Sequence, residues 1–162
     1  MPRLKPKSDP VPYTRAGVAR LRKLAAFLRQ IPNEMFRYAS LIEVWDPIAK
    51  CGTVCCALGW CPRVFPKGPL RWNPTSYGGI AGNYFSQAMS FFGLDKNEVS
   101  ALFYGSWDRP EVCERVGLPH DTSTSFTGES TRKEVADNIE QMARYAERVL
   151  NRRNRKKKAR AR

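Results

Sequence analysis

The sequence predicts a mainly α-helical protein: a compact multi-helix domain with a long irregular loop and a basic arm at each end. Apolar residues recur three and four positions apart in several segments, and strand-like alternation is nearly absent. Two capping boxes, at Asp95-x-x-Glu98 and Thr131-x-x-Glu134, also mark helix starts. We divide the chain into a flexible basic arm (1–12), a single helical domain (13–150) and a basic tail (151–162).

The first predicted helix follows the N-terminal arm, where four prolines within residues 1–12 oppose regular hydrogen bonding. Thr14 can cap this helix, which extends to about Gln30. Its apolar face contains Val18, Leu21, Ala25 and Leu28. Residues 34–44 form a second helix or a short helical turn. A short helix then begins near Gly52 and is expected to end at Pro62.

A long loop rich in proline and glycine is predicted for residues 63–82, with room for a short strand at residues 70–72. A helix over residues 83–92 follows and stops at Gly93. The capping box at Asp95 opens the next helix, and Pro110 begins another that ends at Gly117. The polar residues 120–129 are predicted to form turns.

The longest predicted helix opens at Thr131. Its apolar stripe ends at Leu150 and comprises Val135, Ile139, Met142, Ala146, Val149 and Leu150. Beyond Leu150 the apolar pattern stops, and the free tail is expected to fray because its charges repel one another.

The net charge of +13 is concentrated at the two ends of the chain. Residues 1–30 contain eight Lys or Arg and one acid, and residues 147–162 contain nine and one, whereas residues 31–146 have a net charge of −2. Such ends are typical of arms that bind polyanions. The candidate phosphate-binding residues are Arg15, Arg22, Lys23, Arg144, Arg148, Arg152, Arg153, Arg155, Lys156, Lys157 and Lys158.

If the last helix continues into the tail, Arg144, Arg148, Arg152 and Arg155 form a stripe along one side. Arginine suits bidentate contact with phosphates. RNA and DNA both remain open, since nothing in the tail reads bases. The alternatives are a solubilising or targeting tail without a specific ligand, and an anionic membrane surface. The tail contains no Trp, Phe or Leu after Leu150 to insert into a membrane, which argues against the latter.

The cysteine-rich stretch at residues 51–61 has three interpretations. Zinc favours two separated ligand pairs, whereas Cys51, Cys55, Cys56 and Cys61 follow the spacing C-x3-C-C-x4-C. Cys113 and His120 could complete a site only through tertiary contact. A reactive cysteine would need a base, and His120 is the only histidine. Because the neighbouring residues are small, we favour a closely packed helix, with structural zinc second and no catalytic role.

A glycine-rich segment at residues 76–82 precedes a helix but lacks the Gly-Lys-Ser/Thr ending of a P-loop. Acidic residues are scattered, so no catalytic pair stands out. The sequence therefore indicates a protein that is not an enzyme.

A second hypothesis is a protein-interaction module. Its contact surface would be aromatic, comprising Trp72, Tyr77, Tyr84, Tyr104 and Trp107. No apolar run reaches the ~18 residues of a membrane span. The basic, proline-rich start lacks the apolar segment of a secretory signal, and five cysteines do not fit a fully paired disulfide framework. We therefore expect a cytoplasmic protein.

The motif C-G-T-x-x-C-A-x-G-W, from Cys51 to Trp60, is followed by FFGLDKNEVSALF at residues 91–103 and by a closing long helix. This pattern resembles a family of small uncharacterised helical proteins of phages and bacterial genomes, over roughly residues 34–150. The resemblance implies a compact helical unit in which Cys51 and Cys56 belong to the motif and Cys55 and Cys61 are additions. It implies no activity, although a phage-encoded module could act on a host or virion component.

Overall fold

A computed structural model describes residues 13–36, 57–71, 84–103, 109–119 and 131–161. These segments contain six α-helices and no strand. The helices are α1 (Arg15–Leu28), α2 (Ala57–Val64), α3 (Tyr84–Phe92), α4 (Lys96–Phe103), α5 (Pro110–Val116) and α6 (Arg132–Arg160). The prediction of a mainly α, compact multi-helix domain is confirmed.

Helices α1 and α6 form the central pair and run antiparallel. Arg29, just after α1, contacts Asp137 in the second turn of α6, whereas Arg22, in the middle of α1, contacts Glu147 further along α6. The apolar stripes of the two helices meet between these ion pairs. Ile139, Met142 and Ala143 on α6 are fully buried, as are Leu21, Leu24, Ala25 and Leu28 on α1. Burial of this seam supplies most of the driving force for the pairing.

The predicted capping residues act at both ends of this pair. The hydroxyl of Thr14 accepts the N–H of Gly17 at 2.9 Å, which opens α1. At the start of α6, Thr131 Oγ1 accepts the N–H of Glu134, and the Glu134 carboxylate accepts the N–H of Thr131 at 2.8 Å. The capping box predicted at Thr131 is therefore confirmed.

Helices α3, α4 and α5 pack beside the central pair. Gly17 lets α1 approach the end of α3 closely, because a Cβ there would lie 2.2 Å from the carbonyl oxygen of Phe92. The predicted stops are confirmed at Gly93 (φ 66°) and Gly117 (φ 82°), both in the left-handed region that favours glycine. The capping box at Asp95 is also confirmed: the Glu98 N–H donates to Asp95 Oδ1 at 2.8 Å.

The expected helix stop at Pro62 is wrong. Helix α2 includes Pro62 and continues to Val64, which is buried. Proline removes the hydrogen bond that its own nitrogen would donate, and its ring crowds the carbonyl four residues earlier. The helix nevertheless continues, and the Phe65 N–H donates to the Cys61 carbonyl at 2.8 Å. Of the predicted strand at residues 70–72, Leu70 and Arg71 are described, and neither lies in a strand. At residues 34–44 the described part is a single 3₁₀ turn, Asn33–Met35, followed by extended Phe36.

Helix α6 continues for ten residues past Leu150, which meets the condition on which the arginine stripe was predicted. Arginine and lysine are good helix formers, and cations near a helix C-terminus interact favourably with its dipole. We call residues 151–160 the basic extension. The predictions for the N-terminal arm, for Cys51, Cys55 and Cys56, for the glycine-rich segment and for the polar turns at 120–129 lie outside the described residues.

None of the helices in the described segments combines the length and the apolar character needed to cross a bilayer.

Candidate nucleic-acid interface

The basic extension contains seven Lys or Arg residues and no acidic residue. All ten of its side chains are exposed. At 1.5 Å per residue it adds about 15 Å to α6. A helix of this composition offers cations on every side, and the described neighbours that approach it come from the start of α1.

The four arginines predicted to form a stripe lie on the exposed side of α6, away from Ile139 and Met142. They are Arg144, Arg148, Arg152 and Arg155, separated by four, four and three residues. The Arg144 Nε lies 3.4 Å from Glu140 Oε1, so an acid on the same helix partly neutralises it. The stripe is therefore most positive toward the C-terminal end.

Two open grooves flank the basic extension where it passes the start of α1. The first, about 440 Å³, is lined by Arg15, Asn151, Asn154, Arg155, Lys157 and Lys158. The second, about 450 Å³, is lined by Tyr13, Leu150, Arg153, Asn154, Lys156, Lys157 and Arg160. The structure thus brings Arg15 together with the tail residues, as the sequence could not show. Tyr13, Asn151, Asn154 and Arg160 are lining residues that the sequence analysis did not select.

Arg22 and Lys23 do not line these two grooves, although Arg22 lines a third, of about 590 Å³, with Arg15, Glu147 and Asn151. Arg22 donates to both carboxylate oxygens of Glu147, at 3.2 and 2.8 Å, and its Nε lies 3.6 Å from Glu140. This contact raises the pKa of the Arg22 guanidinium and lowers the pKa of Glu147. Lys23 Nζ lies 5.3 Å from the centroid of the Phe65 ring, on another side of α1. Both cations are engaged within the fold, which makes them weaker candidates for phosphate contact than Arg15.

A buried polar cluster fixes the start of α1 beside the second groove. The Tyr13 hydroxyl donates to Glu98 Oε1, and Arg115 Nη2 donates to the same oxygen at 3.0 Å. The other oxygen accepts the Asp95 N–H at 2.9 Å. Glu98 is fully buried, and burial raises the pKa of its carboxyl group. Burial also raises the pKa of the Tyr13 hydroxyl above its ordinary value, and the bond to Glu98 acts in the same direction.

The sequence identified only the capping half of this cluster. Tyr13 and Arg115 are 85 and 17 residues from Glu98, and no local pattern joins them. The ring of Tyr13 also packs edge-on against Tyr145 of α6, with centroids 6.1 Å apart. These contacts hold Tyr13, and hence the neighbouring Arg15, in a fixed position relative to α6.

In the described segments no three His, Cys, Asp or Glu side chains are grouped to hold a metal. Cys51, Cys55 and Cys56 lie outside those segments, so the zinc hypothesis stays a prediction. Cys61 and Cys113 are both buried, in α2 and α5. The Cys61 thiol donates to the carbonyl of Ala57 at 3.5 Å, as a cysteine within a packed helix does.

The aromatic surface of the second hypothesis is described only at Tyr84. That side chain is half-buried and packs against the core, whereas Trp72, Tyr77, Tyr104 and Trp107 lie outside the described residues.

Comparison with protein-family models, with curated proteins and with solved structures finds no match to this chain.

Proposed function

We propose that this protein is a non-enzymatic nucleic-acid-binding accessory protein that contacts backbone phosphates through its basic ends. The observation that carries the proposal is the basic extension: an exposed helical segment with seven cations and no acid, continuous with a helix whose first half is packed in the core. Attraction between these cations and backbone phosphates would offset the repulsion of the cations for one another.

The remainder of the molecule positions this extension. The α1–α6 pairing and the Tyr13 cluster set the direction in which α6 leaves the domain, and Arg15 adds a cation from a second element. The seven arginines and lysines contact phosphates regardless of base sequence. Affinity for RNA and for duplex DNA is therefore expected to depend on phosphate geometry. We place this activity in the cytoplasm, in keeping with the odd number of cysteines.

The test is fluorescence anisotropy titration of labelled RNA and duplex DNA at several salt concentrations. We expect binding by the full chain and a large loss of affinity for a chain ending at Leu150. Each phosphate contact contributes about 0.9 to the slope of log affinity against log salt on duplex DNA, and about 0.7 on single strands. Five contacts on duplex DNA therefore correspond to a slope of about −4.5.

A charge-matched pair of triple variants separates a binding site from a general effect of net charge. Arg155→Gln, Lys157→Gln and Lys158→Gln together remove three cations from the extension. Lys67→Gln, Lys96→Gln and Lys133→Gln remove three exposed cations elsewhere. Only the first set should weaken binding and flatten the salt slope. Equal effects of the two sets, or no binding by the full chain even at low salt, would contradict the proposal.

A further inference from the structure

Three arginines of α1 and its C-cap face α6 at intervals of seven residues: Arg15, Arg22 and Arg29. Seven residues are nearly two helical turns, so the three side chains follow one side of the helix. Arg29 Nη2 lies 2.9 Å from Asp137, and Arg22 Nη2 lies 2.8 Å from Glu147. Two of the three arginines therefore meet a carboxylate of α6.

We call the ion pairs that Arg29 and Arg22 make with α6 the acid ladder. The third arginine, Arg15, does not continue it. Arg15 lines one groove with Asn151, Asn154, Arg155, Lys157 and Lys158, none of which is acidic, and a second groove that it shares with Arg22 and Glu147. The charge of Arg15 helps to lower the pKa of Glu147, but both oxygens of that carboxylate accept hydrogen bonds from Arg22. Glu140 and Glu147, seven residues apart on one side of α6, both lie within 4 Å of Arg22, and Asn154 occupies the next position of this seven-residue series. A neutral amide and three cations occupy the place of a carboxylate.

Helix propensity and the helix dipole favour cations near the end of α6, but other local interactions oppose this arrangement. Arg15 is the first residue of α1, where the helix dipole disfavours a cation, and the first turn contains no acid. In the extension, Arg152 and Lys156 are four residues apart, as are Arg153 and Lys157, and like charges at that spacing repel. Locally unfavourable charge placements that line one groove are typical of binding sites.

We propose that a backbone phosphate of a nucleic acid occupies the groove between the start of α1 and the basic extension, supplying the anion that the ladder lacks. Arg15 on α1 and Arg155 and Lys158 on α6 provide the charge, and the amide groups of Asn151 and Asn154 provide further N–H donors. This site rests on the proposed function and deepens it, because the phosphate then bridges two helices. The extension alone would form only half of it.

The decisive variant is Asn154→Glu, which places a carboxylate on α6 opposite Arg15, where we propose that the phosphate binds. We expect the melting temperature of the free protein to rise, since the new carboxylate would face Arg15 and would stand four residues before Lys158. Affinity for labelled duplex DNA and for a labelled RNA hairpin should fall about tenfold or more. The salt slope on duplex DNA should become shallower by about one phosphate contact.

Arg15→Gln and Arg29→Gln form a matched pair. Arg15→Gln should weaken binding without lowering the melting temperature of the free protein. Arg29→Gln breaks the contact with Asp137, so it should lower the melting temperature and leave binding unchanged. A purely structural role for Arg15 predicts that both variants lower the melting temperature and that neither changes binding.

The chain ending at Leu150 separates the two proposals. If it loses binding while Asn154→Glu and Arg15→Gln bind like the natural protein, the two-helix site is wrong and the basic-tail function stands. If it binds as well as the full chain, both proposals fail. A tenfold loss for Asn154→Glu with only one of the two probes would support the site and identify that polymer as its ligand.

Discussion

The two parts of helix α6 differ in charge and in burial. From Arg132 to Leu150 the helix contains four acidic and four basic residues, and six of its side chains are buried in the core. From residue 151 to residue 160 it contains seven basic residues, no acid and no buried side chain. The backbone conformation is the same throughout.

This difference shows which residues of α6 stabilise the fold and which are available to bind a ligand. In the packed part, charges contact partners of opposite sign, as Arg22 does with Glu147, and the apolar stripe supplies the stabilisation. The basic extension contains no acidic residue and no buried side chain, and its like charges oppose the helix. We infer that the composition of the extension reflects binding to a polyanion.

The two parts of α6 should contribute very differently to the free energy of unfolding, which a substitution in the first and a truncation of the second can measure. Ile139→Ala in the packed part should lower the free energy of unfolding by about 2–5 kcal/mol, because it leaves a cavity at a fully buried position. Removal of residues 151–162 should change that free energy by less than about 1 kcal/mol, the scale expected for exposed residues. Urea denaturation followed by circular dichroism measures both.

The chain ending at Leu150 should also unfold with nearly the same m-value as the full chain, since it exposes little additional surface. A loss of several kcal/mol on truncation would mean that the extension packs against the domain. The distinction between a packed part and an exposed part of α6 would then be wrong.

The sequence predicted those parts of the fold that depend on nearby residues. Both capping boxes, the stops at Gly93 and Gly117, and the apolar stripe of α6 could be recognised because each depends on groups within four residues of one another. The predicted end of α2 is wrong because the local cost of Pro62, a lost hydrogen bond and a crowded carbonyl, is outweighed by the burial of Trp60 and Val64.

The candidate site depends on contacts that no local pattern carries. The basic composition of the tail was evident, but the grouping of Arg15 with Arg155 and Lys158 follows only from the antiparallel packing of α1 on α6. The same packing engages Arg22 with Glu147, across 125 residues. From the sequence, Arg15 and Arg22 are equivalent candidates for phosphate contact, and only the tertiary structure distinguishes them.

Removing a buried hydrogen bond should also lower the free energy of unfolding more than removing an exposed charge. Tyr13→Phe deletes the hydroxyl that donates to Glu98 and should lower the free energy of unfolding by about 1–3 kcal/mol at neutral pH, because a buried acceptor loses a donor. Arg155→Gln in the extension should leave it within about 0.5 kcal/mol. Thermal and urea unfolding at pH 7 compare the two variants.

Alkaline pH gives a second readout of the same contact. The folded state raises the pKa of Tyr13, so it keeps the phenol protonated at pH values where the unfolded chain, with a tyrosine pKa of about 10, loses the proton. The stability from Tyr13 is therefore fully present below pH ~10 and is lost as the pH rises above it. The natural protein should lose stability more steeply there than Tyr13→Phe, and parallel curves would show that Tyr13 titrates normally.

The smallest expected effect concerns the free basic extension. It contains three pairs of cations four residues apart, and each such pair disfavours the helix by about 0.2–0.5 kcal/mol at low salt. Added salt shortens the Debye length from about 10 Å at 0.1 M toward 3 Å at 1 M and so weakens this repulsion. The ellipticity difference at a helical wavelength between the full chain and the chain ending at Leu150 should therefore grow with salt. A difference independent of salt would show that charge repulsion does not limit the helix.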